Sequence, residues 1–417
     1  MPASSACAHP EHRSPEPERP RWEIADIIRL YGDTYRQTHR VSPAQHKVLD
    51  ALVACRTAQL GGHAEYCPQC GFARYAYSSC RNRHCPKCQT LTKARWLEDR
   101  TAELLPVPYF HTVFTLPHAL NPLILGNKRP LLALLFQAAS QTLLQFGRQN
   151  LGGQMAATMI LHTWDQLLNA HFHVHCLVPG GALVADGPQW VPTPPRFLFP
   201  VQALGSVFRA KFLETFYTLA TTGRLTFTAE LAELGSSEGF TAYLEQLYAN
   251  EWIVYAKPPW AGPAQVLEYL GRYTHRVAIA NHRLVDIRDG HVRFTYRDRR
   301  QEHRQQVMTL EAHEFLRRFL LHLVPTGFVR IRHYGFLGNR NKAQALRQCR
   351  HLLGQRPEPP PRAPKTVAQW MQQWSGLDIT RCPQCGHQPL LRTPLPPVRE
   401  RATGTRAPPP VACGKAP

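Results

Sequence analysis

Apolar residues recur three and four apart at the start of the patterned region. Ile24, Ile27, Ile28 and Tyr31 predict a helix within residues 22–60. Ser42 and Pro43 read as the cap and first-turn proline of a second helix, with Val48, Leu49, Leu52 and Val53 on its apolar face. Further on, strand composition marks 109–117, 155–161, 171–178 and 252–256, while helical spacing marks 93–105, 130–146, 209–221, 263–274 and 311–323. Strands are also expected at 277–279, 284–288 and 291–296, the last two joined by Asp289-Gly290, a type I′ hairpin signal. The class is α+β.

The pattern fades at both ends. Residues 1–20 lack apolar periodicity and are expected to be disordered, and 356–417 form a proline-rich tail expected to be mostly disordered. Between them, 21–105 reads as a helical and zinc-binding domain and 106–355 as one larger domain. No apolar run is long enough to span a bilayer, and the N-terminus has no secretory core, so a cytoplasmic protein is expected, with no membrane partner.

Charge narrows the partner. The 417 residues carry 49 Lys and Arg against 29 Asp and Glu, a formal net charge of +20, which implies a polyanion such as DNA. Arg81, Arg83, Lys87, Lys93 and Arg95 interleave with Tyr75, Tyr77 and Trp96, a composition suited to phosphates and exposed bases.

Twelve cysteines in such a protein point to metal rather than disulfides. Cys67-Pro-Gln-Cys70-Gly and Cys85-Pro-Lys-Cys88 are two knuckles close in sequence, and four thiolates suit tetrahedral Zn²⁺, so one structural ion is expected on Cys67, Cys70, Cys85 and Cys88. Cys80, His84 and His63 remain over as alternative ligands, a second site or, the favoured reading, structural residues. Cys382 and Cys385 form another knuckle that lacks two ligands, which Cys413 or Cys349 would have to supply.

His171-Phe-His173-Val-His175 alternates with period two, which on a strand puts three imidazoles on one face as a ready metal site. Spacing alone leaves the pairs 171/173 and 173/175 open. Tyr269-Leu-Gly-Arg-Tyr273 lies in the expected 263–274 helix, where residues four apart share a face, with Arg272, His275 and Arg276 close by. A phenol with pKa near 10 needs cationic neighbours and a metal-polarised phosphate to act as a nucleophile at neutral pH.

Several longer stretches complete the pattern. They are Cys-Arg-Thr-Ala-x-Leu-Gly-Gly-His (55–63), Ser-Cys-Arg-Asn-Arg-His-Cys-Pro-Lys-Cys-Gln (79–89) and Pro-Val-Pro-Tyr-Phe-His-Thr-Val-Phe-Thr-Leu-Pro (106–117). His-Val-His-Cys-Leu-Val-Pro-Gly-Gly (173–181), Tyr-Leu-Gly-Arg-Tyr-Thr-His-Arg-Val-Ala-Ile (269–279) and Gly-Phe-Val-Arg-Ile-Arg-His-Tyr-Gly (327–335) follow in order. Together they resemble the zinc-domain-containing, two-tyrosine transposases of bacterial insertion-sequence family ninety-one, which belong to the HUH (His-hydrophobic-His) endonucleases. The resemblance spans residues 24–353.

It implies an HUH-endonuclease core, a central antiparallel sheet flanked by helices, behind the helical and zinc-knuckle N-terminal domain. His173 and His175 would hold Mg²⁺ or Mn²⁺, with a third ligand from a neighbouring element, Gln166 or alternatively Asp165. Tyr269 and Tyr273 would nick single-stranded DNA through a 5′-phosphotyrosine and rejoin it during rolling-circle transposition, on the ends of a mobile element and on target DNA. Arg81, Arg83, Lys87, Arg272, Arg276, Arg330 and Arg332 would contact that DNA. Two positions depart from the family pattern: Phe172 stands where Pro is common, and Asp165 where Gly is. A plasmid relaxase or replication initiator would share the nuclease chemistry, and a non-catalytic zinc-ribbon DNA-binding protein would share the knuckles. The sequence carries no sign of oligomeric state.

Overall fold

The computed structural model describes residues 20–184, 189–257, 265, 267, 271, 278–298, 302, 304–357 and 363–398. In chain order, helices α1 (Ile24–Thr38) and α2 (Pro43–Ala54) precede a hairpin of β1 (Gly62–Tyr66) and β2 (Ala73–Tyr77), then helix α3 (Thr90–Ala102) and strand β3 (Tyr109–Thr115). Next come α4 (Asn121–Gly126), α5 (Lys128–Leu151), β4 (Ala156–Trp164), β5 (Ala170–Pro179), and the short pair β6 (Gly181–Val184) and β7 (Gln189–Pro192). Helices α6 (Val201–Thr221) and α7 (Ser237–Ala249) lead to β8 (Val254–Lys257), then β9 (Leu284–Arg288), β10 (His291–Asp298) and β11 (Arg304–Glu311). Helix α8 (Ala312–Leu321), strand β12 (Ile331–Gly335), helices α9 (Lys342–Leu352) and α10 (Val367–Ser375) and strand β13 (Leu391–Leu395) complete the set.

Five antiparallel strands in the order β12-β4-β5-β3-β8 form the central sheet. Its two faces differ because side chains alternate along each strand. One face presents Phe110, Phe114, Met159, Leu161, Phe172, Val174 and Cys176 to α5 and α6, whose Leu131, Leu135, Phe208 and Phe212 complete the largest core. The opposite face is apolar at one end only. There Tyr109, Ile160 and Leu177 pack with Leu105, Leu346, Cys349 and Leu267. The other end of that face carries histidines.

A second sheet, β11-β10-β9, packs with α1, α2 and α8 around Ile27, Leu49, Phe294, Phe315 and Phe319. Asp289 and Gly290 take φ values of 51° and 76°, the left-handed pair that a type I′ turn requires. Ser42 caps α2 by accepting from the Gln45 amide, ahead of Pro43 in the first turn.

Two expectations change, and a third is only partly covered. Ala278 and Ile279 form a bend, not a strand, and are buried against the α1–α8 core, so their apolar character reflects packing alone. Residues 363–398 of the proline-rich tail are ordered: Lys365 pairs with Glu98 at 2.6 Å, Trp370 is buried, and β13 pairs with β1 along its whole length. The helix expected at 263–274 lies outside the described residues except Gln265, Leu267 and Gly271, which are helical.

Phe172 stands where the family favours proline, and the alternation of β5 turns it away from the histidines into the α5–α6 core, with 1% exposure. Phe172→Ala should therefore destabilise the protein by about 3–5 kcal/mol. Tyr75→Ala, at a position 69% exposed, should stay within about 0.5 kcal/mol. Chemical denaturation of the two variants measures the contrast.

Candidate metal centre

Antiparallel pairing of β4 with β5 sets His162 directly opposite His173, with Ile160 opposite His175. Residues opposite one another in a ladder share a face. His162, His173 and His175 therefore converge, each with one ring nitrogen within 4.8 Å of the others, and all three are buried. The Nε2 atoms of His173 and His175 are 3.1 Å apart. His171 instead turns to His118, Nδ1 to Nε2 at 3.0 Å, so the structure groups 173 with 175 and not 171 with 173.

Hydrogen bonds orient the rings. His173 Nδ1 lies 3.0 Å from the His171 carbonyl oxygen, which can only accept, so the proton sits on Nδ1 and the Nε2 lone pair faces inward. His175 Nδ1 lies 2.8 Å from His111 Nε2, with the two rings stacked. Burial, and secondarily the Lys257 charge, lowers the His111 pKa to about 4, so near neutral pH its ring is uncharged and can accept from His175 Nδ1–H. Both inward Nε2 atoms are then lone-pair donors, the arrangement a divalent cation requires. Three imidazoles suit Zn²⁺, Ni²⁺ and other later transition ions, whereas Mg²⁺ and Mn²⁺ favour oxygen, so Mg²⁺ or Mn²⁺ here rests on the family resemblance and not on the donor set.

The third residue that the structure brings to the His173/His175 pair, as a group able to hold a metal ion, is His162 and not Gln166. The Gln166 side-chain oxygen accepts from the Arg297 amide at 2.7 Å, and its carbonyl accepts from Arg283. Asp165, the alternative, closes the β4–β5 turn: Oδ1 accepts from the Leu167 and Asn169 amides, and Oδ2 from the Asn169 side chain. A signal for His162 was present in the sequence. It was partial: the 155–161 strand, extended through Trp164 and folded back at residues 165–169, pairs Trp164 with Ala170 and by simple register would set 162 opposite 172, and a one-residue register shift between His162 and Trp164 brings His162 opposite His173 instead.

The cysteines regroup as well. Cys67, Cys70, Cys85 and Cys88 do not meet at one point. Cys85 and Cys88 join Cys55 and Cys80, while Cys67 and Cys70 join Cys382 and Cys385. The β1–β2 hairpin is the physical reason. Cys67 and Cys70 occupy its tip beyond the Tyr66–Ala73 pair, and Cys80 follows its base at the Gly62–Tyr77 pair, five residues or about 17 Å of strand away. In the first group, Cys55 and Cys85 are 3.5 Å apart and Cys80 and Cys88 3.7 Å, close to the edges of about 3.8 Å in a tetrahedron with Zn–S arms of about 2.3 Å. Cys349 is buried in another cluster, and Cys413 lies outside the described residues. His63 pairs with Glu65, and burial holds the His84 pKa down to about 3.

The cationic candidates divide by where they point. Arg81 is exposed. Arg83 turns inward and donates to the carbonyls of Val324, Pro325 and Phe328, which corrects its placement on the DNA face. Arg332 is half-buried, with its guanidinium 4.4 Å over the Phe136 ring and donating to the Val329 carbonyl. Lys87 is paired with Glu23, and burial lowers the Arg330 pKa to about 10. Arg272, Arg276, Tyr269 and Tyr273 lie outside the described residues.

Comparison with known proteins follows the same two-part division. A family model described as "Putative transposase" matches residues 156–345, and one described as "Transposase zinc-binding domain" matches residues 27–116. The chain is 50% identical over 371 residues to "Putative transposase y4qJ" of Sinorhizobium fredii, a match covering 88% of this chain and 93% of that protein. It is 30% identical over 339 residues to "Transposase for insertion sequence element IS801" of Pseudomonas savastanoi pv. phaseolicola, covering 80% of each. No solved structure matches the chain. No helix among the described residues is long and apolar enough to cross a membrane.

The ligand assignment predicts an ordered set of affinities. His162→Ala should weaken Mn²⁺ binding as severely as His173→Ala or His175→Ala, and His111→Ala by about 10–100-fold through loss of ring orientation. Gln166→Ala should leave it unchanged. Calorimetric titration of Mn²⁺ into each variant gives the order.

Proposed function

Since this chain belongs to the insertion-sequence transposases that carry a zinc-binding domain, the family its motifs resemble, we propose that it nicks and rejoins single-stranded DNA at the three-histidine face, with Tyr269 and Tyr273 as nucleophiles. The observation that carries this reading is the convergence of His162, His173 and His175 on one face of an antiparallel sheet, the arrangement implied by an HUH core. Two neighbours of the tyrosines support it. Leu267 is buried in the cluster that contains Ile160 and Leu177, on the same sheet face as the histidines. Gly271, between the tyrosines in sequence, is buried where a Cβ would come within 2.5 Å of Leu97 on α3.

The residues then divide the work. His162, His173 and His175 would hold a divalent ion, Mg²⁺ or Mn²⁺ by the resemblance, and His111 fixes the His175 ring. Bound there, an ion would supply Lewis-acid polarisation of the scissile phosphate and offset the charge developing on it. Lys257, opposite His111 in the β3–β8 register, adds positive potential on the same face. A tyrosine oxygen attacks phosphorus, the bond to the 3′ oxygen breaks, and the phenolic proton ends on that departing oxygen, giving a free 3′-OH. The product is a 5′-phosphotyrosine. Attack by a 3′-OH on that ester re-forms a phosphodiester and frees the phenol, so no external energy source is needed. Two tyrosines allow donor and target strands to be handled in turn.

Binding would draw on the +20 net charge and on exposed aromatic rings. Tyr66 and Tyr75 are exposed on the outer face of the β13-β1-β2 sheet, where Tyr75 stacks with Tyr77 at 6.4 Å. On this reading, Cys55, Cys80, Cys85 and Cys88 hold the zinc of the family domain and fix the β1–β2 hairpin to α2.

Incubation with Mn²⁺ and a single-stranded oligonucleotide bearing the element's end should yield a covalent protein–DNA species. Tyr269→Phe or Tyr273→Phe alone should keep some adduct, and the double change should abolish it. Mass spectrometry of the adducted peptide locates the linkage. Attachment outside 269–273, or cleavage with no adduct, would replace tyrosine attack by hydrolysis.

A further inference from the structure

The second cysteine group contains two copies of one pentapeptide, Cys-Pro-Gln-Cys-Gly, at 67–71 and 382–386. Their local folds match bond for bond. Cys67 N–H donates to the Phe72 carbonyl at 2.8 Å, and Cys382 N–H donates to the His387 carbonyl at 2.9 Å. Gly71 N–H donates to the Cys67 carbonyl and Gly386 N–H to the Cys382 carbonyl, both glycines having φ of 72°. Neither glycine has an atom near its missing Cβ, so the requirement is conformational: a left-handed residue ends each turn.

The two knuckles face one another in a crossed arrangement. Cys67 Sγ lies 3.5 Å from Cys385 Sγ, and Cys70 Sγ lies 3.5 Å from Cys382 Sγ. The glutamines repeat the exchange, Gln384 reaching Cys70 at 3.8 Å and Gln69 reaching Cys385 at 4.0 Å. Each knuckle therefore presents its first sulfur to the second sulfur of the other, which is two-fold symmetry about a point between them. Four sulfurs around such a point, with separations near the edge of a Zn–S₄ tetrahedron, form a closed structural site. Among the described residues little else packs there: the surrounding apolar cluster comprises Cys67, Cys382 and Leu390, with a partly buried Phe72 against them.

We propose that Cys67, Cys70, Cys382 and Cys385 bind a second Zn²⁺, which closes a three-stranded zinc ribbon from the two ends of the chain. Half of the ligands and the strand β13 come from the C-terminal segment, and the other half and β1–β2 come from the N-terminal module. The family zinc-binding match ends at residue 116 and cannot complete this site without Cys382 and Cys385. The ion replaces a hydrophobic core as the link between segments more than 300 residues apart, since metal binding and folding are coupled in small sites. It also orders β13 beside β1, so that Leu391 joins the exposed face carrying Tyr66 and Tyr75.

Zinc content of the full chain, purified without chelator in a His173→Ala/His175→Ala background so that the three-histidine face holds no zinc, tests this independently of DNA cleavage. Two ions per chain are expected in that background, one after adding Cys382→Ser/Cys385→Ser, and one after adding Cys80→Ser/Cys88→Ser. X-ray absorption at the zinc edge should show four sulfur neighbours in that background, with no nitrogen shell. One ion per chain in the background, or an unchanged count after Cys382→Ser/Cys385→Ser, would overturn the second site. So would a mixed sulfur–nitrogen shell there, which would replace a cysteine in the proposed set. Loss of both ions from Cys382→Ser/Cys385→Ser would overturn the independence of the two centres.

Discussion

The candidate site depends on a single register. β4 and β5 pair with His162 opposite His173, and the alternation of β5 then aligns His175 on the same face while sending Phe172, Val174 and Cys176 into the α5–α6 core. A slip of one residue would bury imidazoles among phenylalanines and expose the phenylalanines, so the apolar face and the metal face specify each other. The turn that sets the register is held by Asp165, which accepts three hydrogen bonds from Leu167 and Asn169. Its departure from the family's glycine thus has a structural role. Leu168, the turn residue with φ of 64°, is buried and belongs to the neighbouring α1–α8 core, which ties the hairpin to the second sheet.

What could be read from the sequence was local. Period-two alternation located the histidine face, Asp289-Gly290 located a hairpin, and Ser42-Pro43 located a helix start, because each signal depends on residues close in the chain. Pairing between distant segments was harder to read. His162 lies just beyond the strand expected to end at Leu161, and a register shift between His162 and Trp164, which no local pattern signals, brings it across the ladder from His173. The cysteines were grouped by sequence proximity, whereas the rigid β1–β2 hairpin holds its tip away from its base. A proline-rich composition hid the ordered segment at 363–398, which contributes Trp370, β13 and two cysteines that find their partners only in three dimensions.

Charge shows the same division. A net charge of +20 indicates a polyanion but says nothing of direction. Arg83 and Arg332 satisfy carbonyls and aromatic faces around the 324–330 segment, and Lys128 donates to the carbonyls of Leu321 and Leu323 beside it, its pKa lowered by burial to about 8. These cations stabilise the approach to β12, which borders the histidine strand pair. The basic motif at 327–335 therefore supports the sheet edge as well as any contact with phosphate.

The most direct test of the three-histidine centre is a crystal structure of the protein grown with Mn²⁺, with the ion located by its anomalous scattering. The expected result is one peak at coordination distance from the Nε2 atoms of His173 and His175 and a ring nitrogen of His162, with His175 Nδ1 still bonded to His111. Manganese held by Gln166 or His171, or no ion on this face of the sheet, would contradict the assignment.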